Sequence, residues 1–318
     1  MIHLLNVLGL IGAGYLLWQG AELLVDAAAR VAMRMGISEL VVGLTIVAMG
    51  TSAPELAVSV SAALGEQGDV ALGNVVGSNI FNLGVVLGSA ALLVPLKLNQ
   101  TVIKRDGPLL VLGTLALFYF LEDGQIARYE AGIFVGTMAC YLLYLAFHRG
   151  SEETDEDEDI GDLEGHSMGM DALKVLVGLI MVIGGGKLLV MTAVALAEAV
   201  GMTPWLISVT IVAAGTSAPE MVTTLAAVRS GRQGMAIGGL FGSDIFNVLL
   251  VLGVAGVVAP MDFAAETLPE MRESVLIMVG VIIGTLLLFR VRGQLARGGG
   301  ILILCVAVLR WILSALGA

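Results

Sequence analysis

Gly50-Thr51-Ser52-Ala53-Pro54-Glu55 and Gly215-Thr216-Ser217-Ala218-Pro219-Glu220 are one hexapeptide written twice, each copy inside a long apolar run. A carboxylate, two hydroxyls and a proline therefore stand twice where hydrocarbon-facing residues belong. An ionisable group at membrane depth costs about 2.5–3.5 kcal/mol on insertion scales. Two such costs in the same hexapeptide point to one shared site.

The surroundings justify the membrane reading. Hydrophobic residues make up 58% of the 318 and charged residues only 14%, against about 25% charged in soluble domains. Only helices or closed barrels satisfy their backbone in lipid, and apolar runs of about 20 residues read as helical spans. Ten are expected: Leu4 to Val31, Ile37 to Leu64, Val70 to Val94, a short fourth from Pro108 to Leu121, Tyr129 to Phe147, Leu173 to Val200, Thr203 to Val228, Met235 to Ala259, Glu273 to Phe289, and Gly299 to Ala315. Met1-Ile2-His3 lacks a basic leader and no small-residue cleavage site follows, so the first run reads as a span and not a signal peptide. Cys140 and Cys305 lie in apolar runs and say nothing about disulfides. The net charge of −11 comes mostly from Ser151 to Glu164, a stretch dense in Asp and Glu.

That acidic stretch separates two copies. The offset of 165 residues that carries Glu55 onto Glu220 also carries Thr45-Ile46-Val47-Ala48 onto Thr210-Ile211-Val212-Ala213. It maps Gly77-Ser78 onto Gly242-Ser243 and Ile80-Phe81-Asn82 onto Ile245-Phe246-Asn247, without a gap from Gly20 to Pro95. The expected organisation is a first repeat over residues 1–150, an acidic linker over 151–168 and a second repeat over 169–318. Five spans per repeat is an odd number, so the second copy enters the membrane upside down. Inverted repeats are an architecture of secondary transporters, with sites at the midplane between the copies. Arg30, Arg34, Lys97, Lys104, Arg105, Arg149, Lys174, Arg229, Arg232, Arg290, Arg292 and Arg297 fall on one side of this topology, and Arg128, Arg272 and Arg310 on the other. The positive-inside rule then places both termini outside the cytoplasm and the linker within it; a bacterial inner membrane is the expected location, on the resemblance given below.

The chemistry follows from the donor atoms. Pro54 and Pro219 interrupt span interiors and leave the carbonyls of Gly50 and Gly215 without a helical donor. Broken backbone at that depth is tolerated where it faces protein or a wet cavity, and freed carbonyls there become cation ligands. Thr51, Ser52 and Glu55, with Thr216, Ser217 and Glu220, surround the breaks with oxygen. Ser78 with Asn82 and Ser243 with Asn247 are spaced four apart, on one helical face. Oxygen-only sets select hard cations, and Mg²⁺ fits poorly because it dehydrates reluctantly. Two carboxylates neutralise one Ca²⁺, and the hydroxyls, amides and carbonyls can hold Na⁺ instead.

The blocks Gly43 to Glu55 and Gly73 to Asn82, with their second copies, closely resemble the α-repeats of the sodium/calcium exchanger family of cation/Ca²⁺ antiporters. The resemblance covers nearly the whole chain outside the linker. It implies an all-α ten-helix bundle that exchanges Na⁺ for Ca²⁺ by alternating access, an electrogenic secondary antiporter and not an enzyme. Four central ion sites come with it, three for Na⁺ and one for Ca²⁺. Carried over by position, Glu55 and Glu220 with the carbonyls of Thr51 and Thr216 would hold Ca²⁺. Ala48, Ser52 and Ser78 on one side, and Ala213, Ser217 and Ser243 on the other, would join the two glutamates around Na⁺, with Asn82 and Asn247 lining the centre. The first and sixth spans would rock against a core of the second, third, seventh and eighth. No cofactor and no nucleic-acid partner is expected; the partners are the two ions and the bilayer, in a monomer or an oligomer.

Some relatives carry Asp where this chain has Asn247, which leans towards K⁺-independent exchange. Asp244, opposite Asn79, is an extra acid outside the usual ligand positions, read as either a functional group or a packing hydrogen bond. Glu22, Asp26 and Lys187 read as structural pairing or snorkelling. Asp155, Asp157 and Asp159 imitate the opening of a calcium loop, but Ile160 stands in place of its glycine and His166 in place of its closing glutamate, so the linker reads as a solvated acidic run. A Ca²⁺/H⁺ antiporter would use the same carboxylates as proton carriers, and a cation channel would share the oxygen lining. An intramembrane enzyme lacks its Ser/Lys dyad, His motif or paired Asp motif.

Overall fold

The computed structural model describes residues 2–97, 99–148, 167–199, 201 and 213–316. Most of the acidic linker, Val200, and the part of the seventh span before Ala213 lie outside them. Among the described residues six helices are long and apolar enough to cross a membrane, and a bent pair, Glu39–Thr51 with Ala53–Leu64, makes a further broken span.

The chain opens with α1 (Ile2–Met35), and α9 (Met168–Ala199) opens the second half. At 34 and 32 residues each runs about 50 Å. That exceeds a hydrocarbon core of about 30 Å, so each helix is long enough to cross it with tilt or to project beyond it. They pack on each other through glycine. A Cβ on Gly178 would lie 2.8 Å from the Leu24 nitrogen and 2.9 Å from the Gly20 carbonyl oxygen, and one on Gly185 would lie 3.0 Å from the Leu17 nitrogen. Without a hydrophobic force between helices in lipid, such backbone approach supplies the dispersion contact that holds them together.

The second span is built in pieces. α2 (Glu39–Val42) starts on Ser38, whose Oγ accepts the Val41 N–H at 3.3 Å. A π turn over Gly43–Val47 leads to α3 (Ala48–Thr51), and α4 (Ala53–Leu64) follows at an angle of 47°. α5 (Gly68–Phe81), a π turn over Asn82–Val86 and α6 (Leu87–Leu93) form the third. The helix expected as a short fourth span starts earlier than its sequence pattern: a π turn over Val102–Asp106 runs into α7 (Gly107–Phe120). The polar start Val102-Ile103-Lys104-Arg105-Asp106 hid it, because Asp106 is buried by Arg105 and by a 3.0 Å bond from the Tyr141 hydroxyl. α8 (Arg128–Phe147) closes the first half.

In the second half, α10 (Ala213–Thr216) and α11 (Ala218–Arg229) repeat the break. α12 (Gln233–Ile245), a π turn over Phe246–Val251 and α13 (Leu252–Val258) repeat the third span. α14 (Leu268–Arg292) and α15 (Arg297–Leu316) complete the chain. Four two-residue strands tie the halves together: β1 (Leu96–Lys97) pairs antiparallel with β4 (Gln294–Leu295), and β2 (Gln125–Ile126) with β3 (Met261–Asp262). Exchanging the halves turns one pairing into the other. β2 and β4 each follow a left-handed glycine, Gly124 (φ 80°) and Gly293 (φ 68°), a conformation that costs glycine nothing.

Burial separates centre from periphery. The spans Gly68–Leu93 and Gln233–Val258 are 72% and 78% buried over their apolar windows, while Leu5–Met35, Met168–Ala197 and Leu268–Arg292 reach 28–33%. α5 and α12 thus form the middle. α12 lies against the second span with almost no side chain between: a Cβ on Gly242 would lie 2.7 Å from Ala48 Cβ and 2.8 Å from Leu44 Cα.

Candidate ion-binding site

Both proline motifs fold the same way, and the reason is local. α3 ends at Ser52 (φ −79°, ψ 3°), and α4 begins one residue later with Pro54 in its first turn. Ser217 (φ −89°, ψ 7°) and Pro219 repeat this at the start of α11. Proline suits a first turn because the N–H it lacks would be unpaired there. Glu55 and Glu220 each fall in that first turn, where the positive end of the helix dipole favours a carboxylate.

The two glutamates are buried, 0% and 2% exposed, and close enough to interact electrostatically. Their surroundings cross between halves. Ser78 Oγ donates to Glu55 Oε1 at 3.4 Å, and the Ser217 hydroxyl of the other half faces the same carboxylate. Glu220 is faced by Ser243 of its own half and Thr51 of the other, and those two hydroxyls are 3.1 Å apart. Each glutamate is thus flanked by one hydroxyl from each half.

These groups are left with spare bonding capacity. Among the described residues Ser52 Oγ, Ser217 Oγ, Glu55 Oε2, both Glu220 carboxylate oxygens, Asn82 Oδ1 and Asn247 Oδ1 are buried without a hydrogen-bond partner. Buried polar groups are bonded in the great majority of cases, and an orphaned charged one is expensive. Seven orphaned oxygens on the two breaks and the helices beside them are spare acceptor capacity of the kind a cation can complete. No three Asp, Glu, His or Cys side chains converge on one point among the described residues, so the carboxylates are spread over a cluster of positions.

The remaining sequence-derived residues divide as follows. Thr51, Ala48, Ser78, Asn82, Ser243, Asn247 and Thr216 are all buried. The Ala48 carbonyl is already engaged by the Ser52 N–H at 2.9 Å and lies 3.4 Å from the Thr51 hydroxyl. Ala213 contributes its backbone to α10, and its side chain is outside the description. Asn82 opens one π turn and Asn247 lies in the other; wide turns of this kind concentrate at functional sites. Asn82 and Asn247 do not turn their amide nitrogens into the cluster. Asn82 Nδ2 donates to Asp244 Oδ1 at 3.0 Å and Asn247 Nδ2 to Asn79 Oδ1 at 3.0 Å, leaving their oxygens free.

Sequence reasoning passed over Asn74. Its Nδ2 donates to the Glu55 carbonyl at 3.2 Å and to Ser59 Oγ at 3.0 Å, pinning α4 to α5 just behind the carboxylate. The same offset puts Gly239 opposite it, so duplication offered no signal. It also passed over the ion pairs that bridge the halves: Arg30 Nε to Asp171 Oδ1 at 2.8 Å, Arg34 Nε to Asp171 Oδ2 at 3.3 Å, and Arg232 Nη1 to Glu39 Oε1 at 2.5 Å. Glu22, Asp26 and Lys187 are exposed and form no ion pair among the described residues, so of the two expected readings, pairing or snorkelling, pairing is not seen. Cys140 and Cys305 are free and exposed.

A sequence model of the family described as sodium/calcium exchanger protein matches residues 5–147 and 171–314. The chain is 38% identical to the putative antiporter CaxA of Alkalimonas amylolytica over 91% of this chain and 90% of that one. It is 31% identical to the sodium/calcium exchanger MaX1 of Methanosarcina acetivorans over 83% and 85%. Its fold superposes on the solved structure of the sodium-calcium exchanger NCX_Mj soaked with 10 mM Na⁺ and zero Ca²⁺, with a TM-score of 0.83 and 25% identity, over 97% of this chain and 98% of that one.

Proposed function

The chain belongs to the sodium/calcium exchanger family, and from that premise we propose that it is an integral membrane antiporter exchanging Na⁺ for Ca²⁺ through the cluster around Glu55 and Glu220. The observation that carries the reading is the crossing of the two halves: each buried glutamate is flanked by hydroxyls of both copies. Ca²⁺ sits between the glutamates, with the Thr51 and Thr216 carbonyls completing its shell. Na⁺ ions occupy the flanks, one side built from Ala48, Ser52 and Ser78, the other from Ala213, Ser217 and Ser243.

The halves, residues 1–150 and 169–318, act as inverted repeats of five spans, with the acidic linker and most of the Lys and Arg in the cytoplasm. α1 and α9, long and packed on each other, slide as a pair across the core made by the second, third, seventh and eighth spans, and the cluster opens to one side at a time. Three Na⁺ against one Ca²⁺ moves one net charge per cycle, worth about 2.3 kcal/mol per 100 mV. An interior-negative membrane then drives Ca²⁺ out.

Purified protein in liposomes should take up ⁴⁵Ca²⁺ when an opposing Na⁺ gradient is applied at clamped pH. Uptake that follows a pH gradient and ignores Na⁺ makes the protein a Ca²⁺/H⁺ antiporter, and flux without any counter-ion makes it a channel.

A further inference from the structure

One pair of equivalent positions differs where the two halves meet. Asn79 and Asp244 are related by the 165-residue offset, are both 0% exposed, and lie side by side at the centre. The bonds around them nearly obey the exchange of halves. Asn82 Nδ2 donates to Asp244 Oδ1 and Asn247 Nδ2 to Asn79 Oδ1, both at 3.0 Å. Asn79 Nδ2 then donates to the Asp244 carbonyl at 3.1 Å. The matching bond, from residue 244 to the Asn79 carbonyl, needs a side-chain donor. Asparagine would supply it and complete the set; a carboxylate does not.

Packing alone therefore favours asparagine at both positions, and the chain has an acid at one. Asp244 Oδ2 is left buried and without a partner among the described residues. It lies next in sequence to Ser243, whose hydroxyl meets Thr51 at 3.1 Å, and close enough to Glu220 for the two carboxylates to interact. A buried carboxylate with an oxygen that no donor reaches among the described residues is accommodated by a proton or by a cation, and the oxygen donors gathered beside it suit the cation. No three Asp, Glu, His or Cys side chains converge on one point among the described residues, so a cation held by Asp244 would be a neighbour of the Ca²⁺ between Glu55 and Glu220 and not that ion itself.

We propose that Asp244 is a specificity-determining ligand that holds a monovalent alkali cation beside the Ca²⁺ position and shifts the site towards Na⁺. The inference rests on the Na⁺/Ca²⁺ reading above and adds a charge balance to it. Three Na⁺ neutralise Glu55, Glu220 and Asp244 together. One Ca²⁺ leaves a negative charge over. Without Asp244 the balance reverses, with Ca²⁺ neutral and three Na⁺ in excess by one. Because Asp244 would touch the monovalent ion directly and three Na⁺ carry one charge more than Ca²⁺, removing the carboxylate weakens Na⁺ binding more than Ca²⁺ binding.

The test is equilibrium ⁴⁵Ca²⁺ binding to purified protein, displaced by NaCl at constant ionic strength. Asp244→Asn should raise the Na⁺ concentration for half-displacement about tenfold or more while moving the Ca²⁺ Kd by less than about threefold. The double variant Asn79→Asp with Asp244→Asn, which moves the carboxylate to the equivalent position, should recover Na⁺ displacement. It also keeps the question answerable if the single variant folds poorly. Half-displacement within about twofold of wild type in Asp244→Asn, or equal shifts for both ions, overturns the proposal and leaves Asp244 a packing residue. Wild-type protein whose bound Ca²⁺ ignores Na⁺ sinks the exchange reading itself, a distinct result.

Discussion

The ion cluster and the charged end of the bundle follow opposite rules. At the cluster, Glu55, Thr51, Ser52, Ser78 and Asn82 each have an identical residue 165 positions later. At the charged end no partner is duplicated: the same offset sets Ala195 opposite Arg30, Ala199 opposite Arg34, Asn6 opposite Asp171, Pro204 opposite Glu39 and Gln67 opposite Arg232. On the proposed mechanism, alternating access between inverted repeats exchanges the conformations of the two halves, so donors present in both copies offer the same set to either side, with Asn79 and Asp244 the exception. A contact present at one end only favours one state. On the proposed mechanism the cluster carries the chemistry common to both states, and the ion pairs would weight the balance between them.

The largest expected break is at the cluster. Glu55→Gln or Glu220→Gln removes half of the charge that balances Ca²⁺ and leaves a buried amide in a cation site; Na⁺-driven Ca²⁺ flux in proteoliposomes should fall by about two orders of magnitude or more, in line with the about 3–5 kcal/mol cost of removing one partner of a buried charge pair. Near-wild-type flux in either variant would falsify the assignment, and large losses of clearly unequal size would show that the halves are not equivalent.

A smaller effect is expected where the halves touch. Gly242→Ala places a methyl 2.7 Å from Ala48 Cβ and 2.8 Å from Leu44 Cα, so α12 and the second span must part. Overpacking of this kind costs about 1–3 kcal/mol, and the melting temperature in detergent should drop by several degrees. The Ca²⁺ Kd should rise as well, because Ser243 moves with the helix. A melting temperature equal to wild type would mean that the close approach is relaxed without cost.

The smallest effect belongs to the charged end. Asp171→Asn loses both arginine contacts, but Arg30 and Arg34 are 15% and 24% exposed and can rehydrate, so the stability loss is about 1–2 kcal/mol. Equilibrium Ca²⁺ affinity should stay within about twofold of wild type while the exchange rate changes. Equal changes in both would place Asp171 in the binding chemistry and erase the contrast between the two regions.

Much of this was legible in the chain because duplication is a sequence property. The paired hexapeptides exposed the glutamates, the prolines announced the breaks, and Ser78 and Asn82 followed from the same offset. What lacked a copy stayed hidden: Asn74, the Arg–Asp and Arg–Glu bridges, and the polar start of the fourth span, where Asp106 is masked by Arg105 and Tyr141. The oxygens of Asn82 and Asn247 were expected at the centre; that their amide nitrogens would be engaged by Asp244 and Asn79 could not be read from spacing four apart.

By itself the sequence determined that this is a duplicated, membrane-embedded helical chain with oxygen donors buried at two matched breaks, because composition, periodicity and repetition are properties of one dimension. Only the tertiary structure decided which hydroxyl faces which glutamate, that each glutamate draws on both halves, and that Asp244 is left with an oxygen no side chain reaches among the described residues. Those depend on how closely two helix backbones approach and on which lone pairs remain unsatisfied, and both quantities exist only once residues far apart along the chain have been brought within bonding distance.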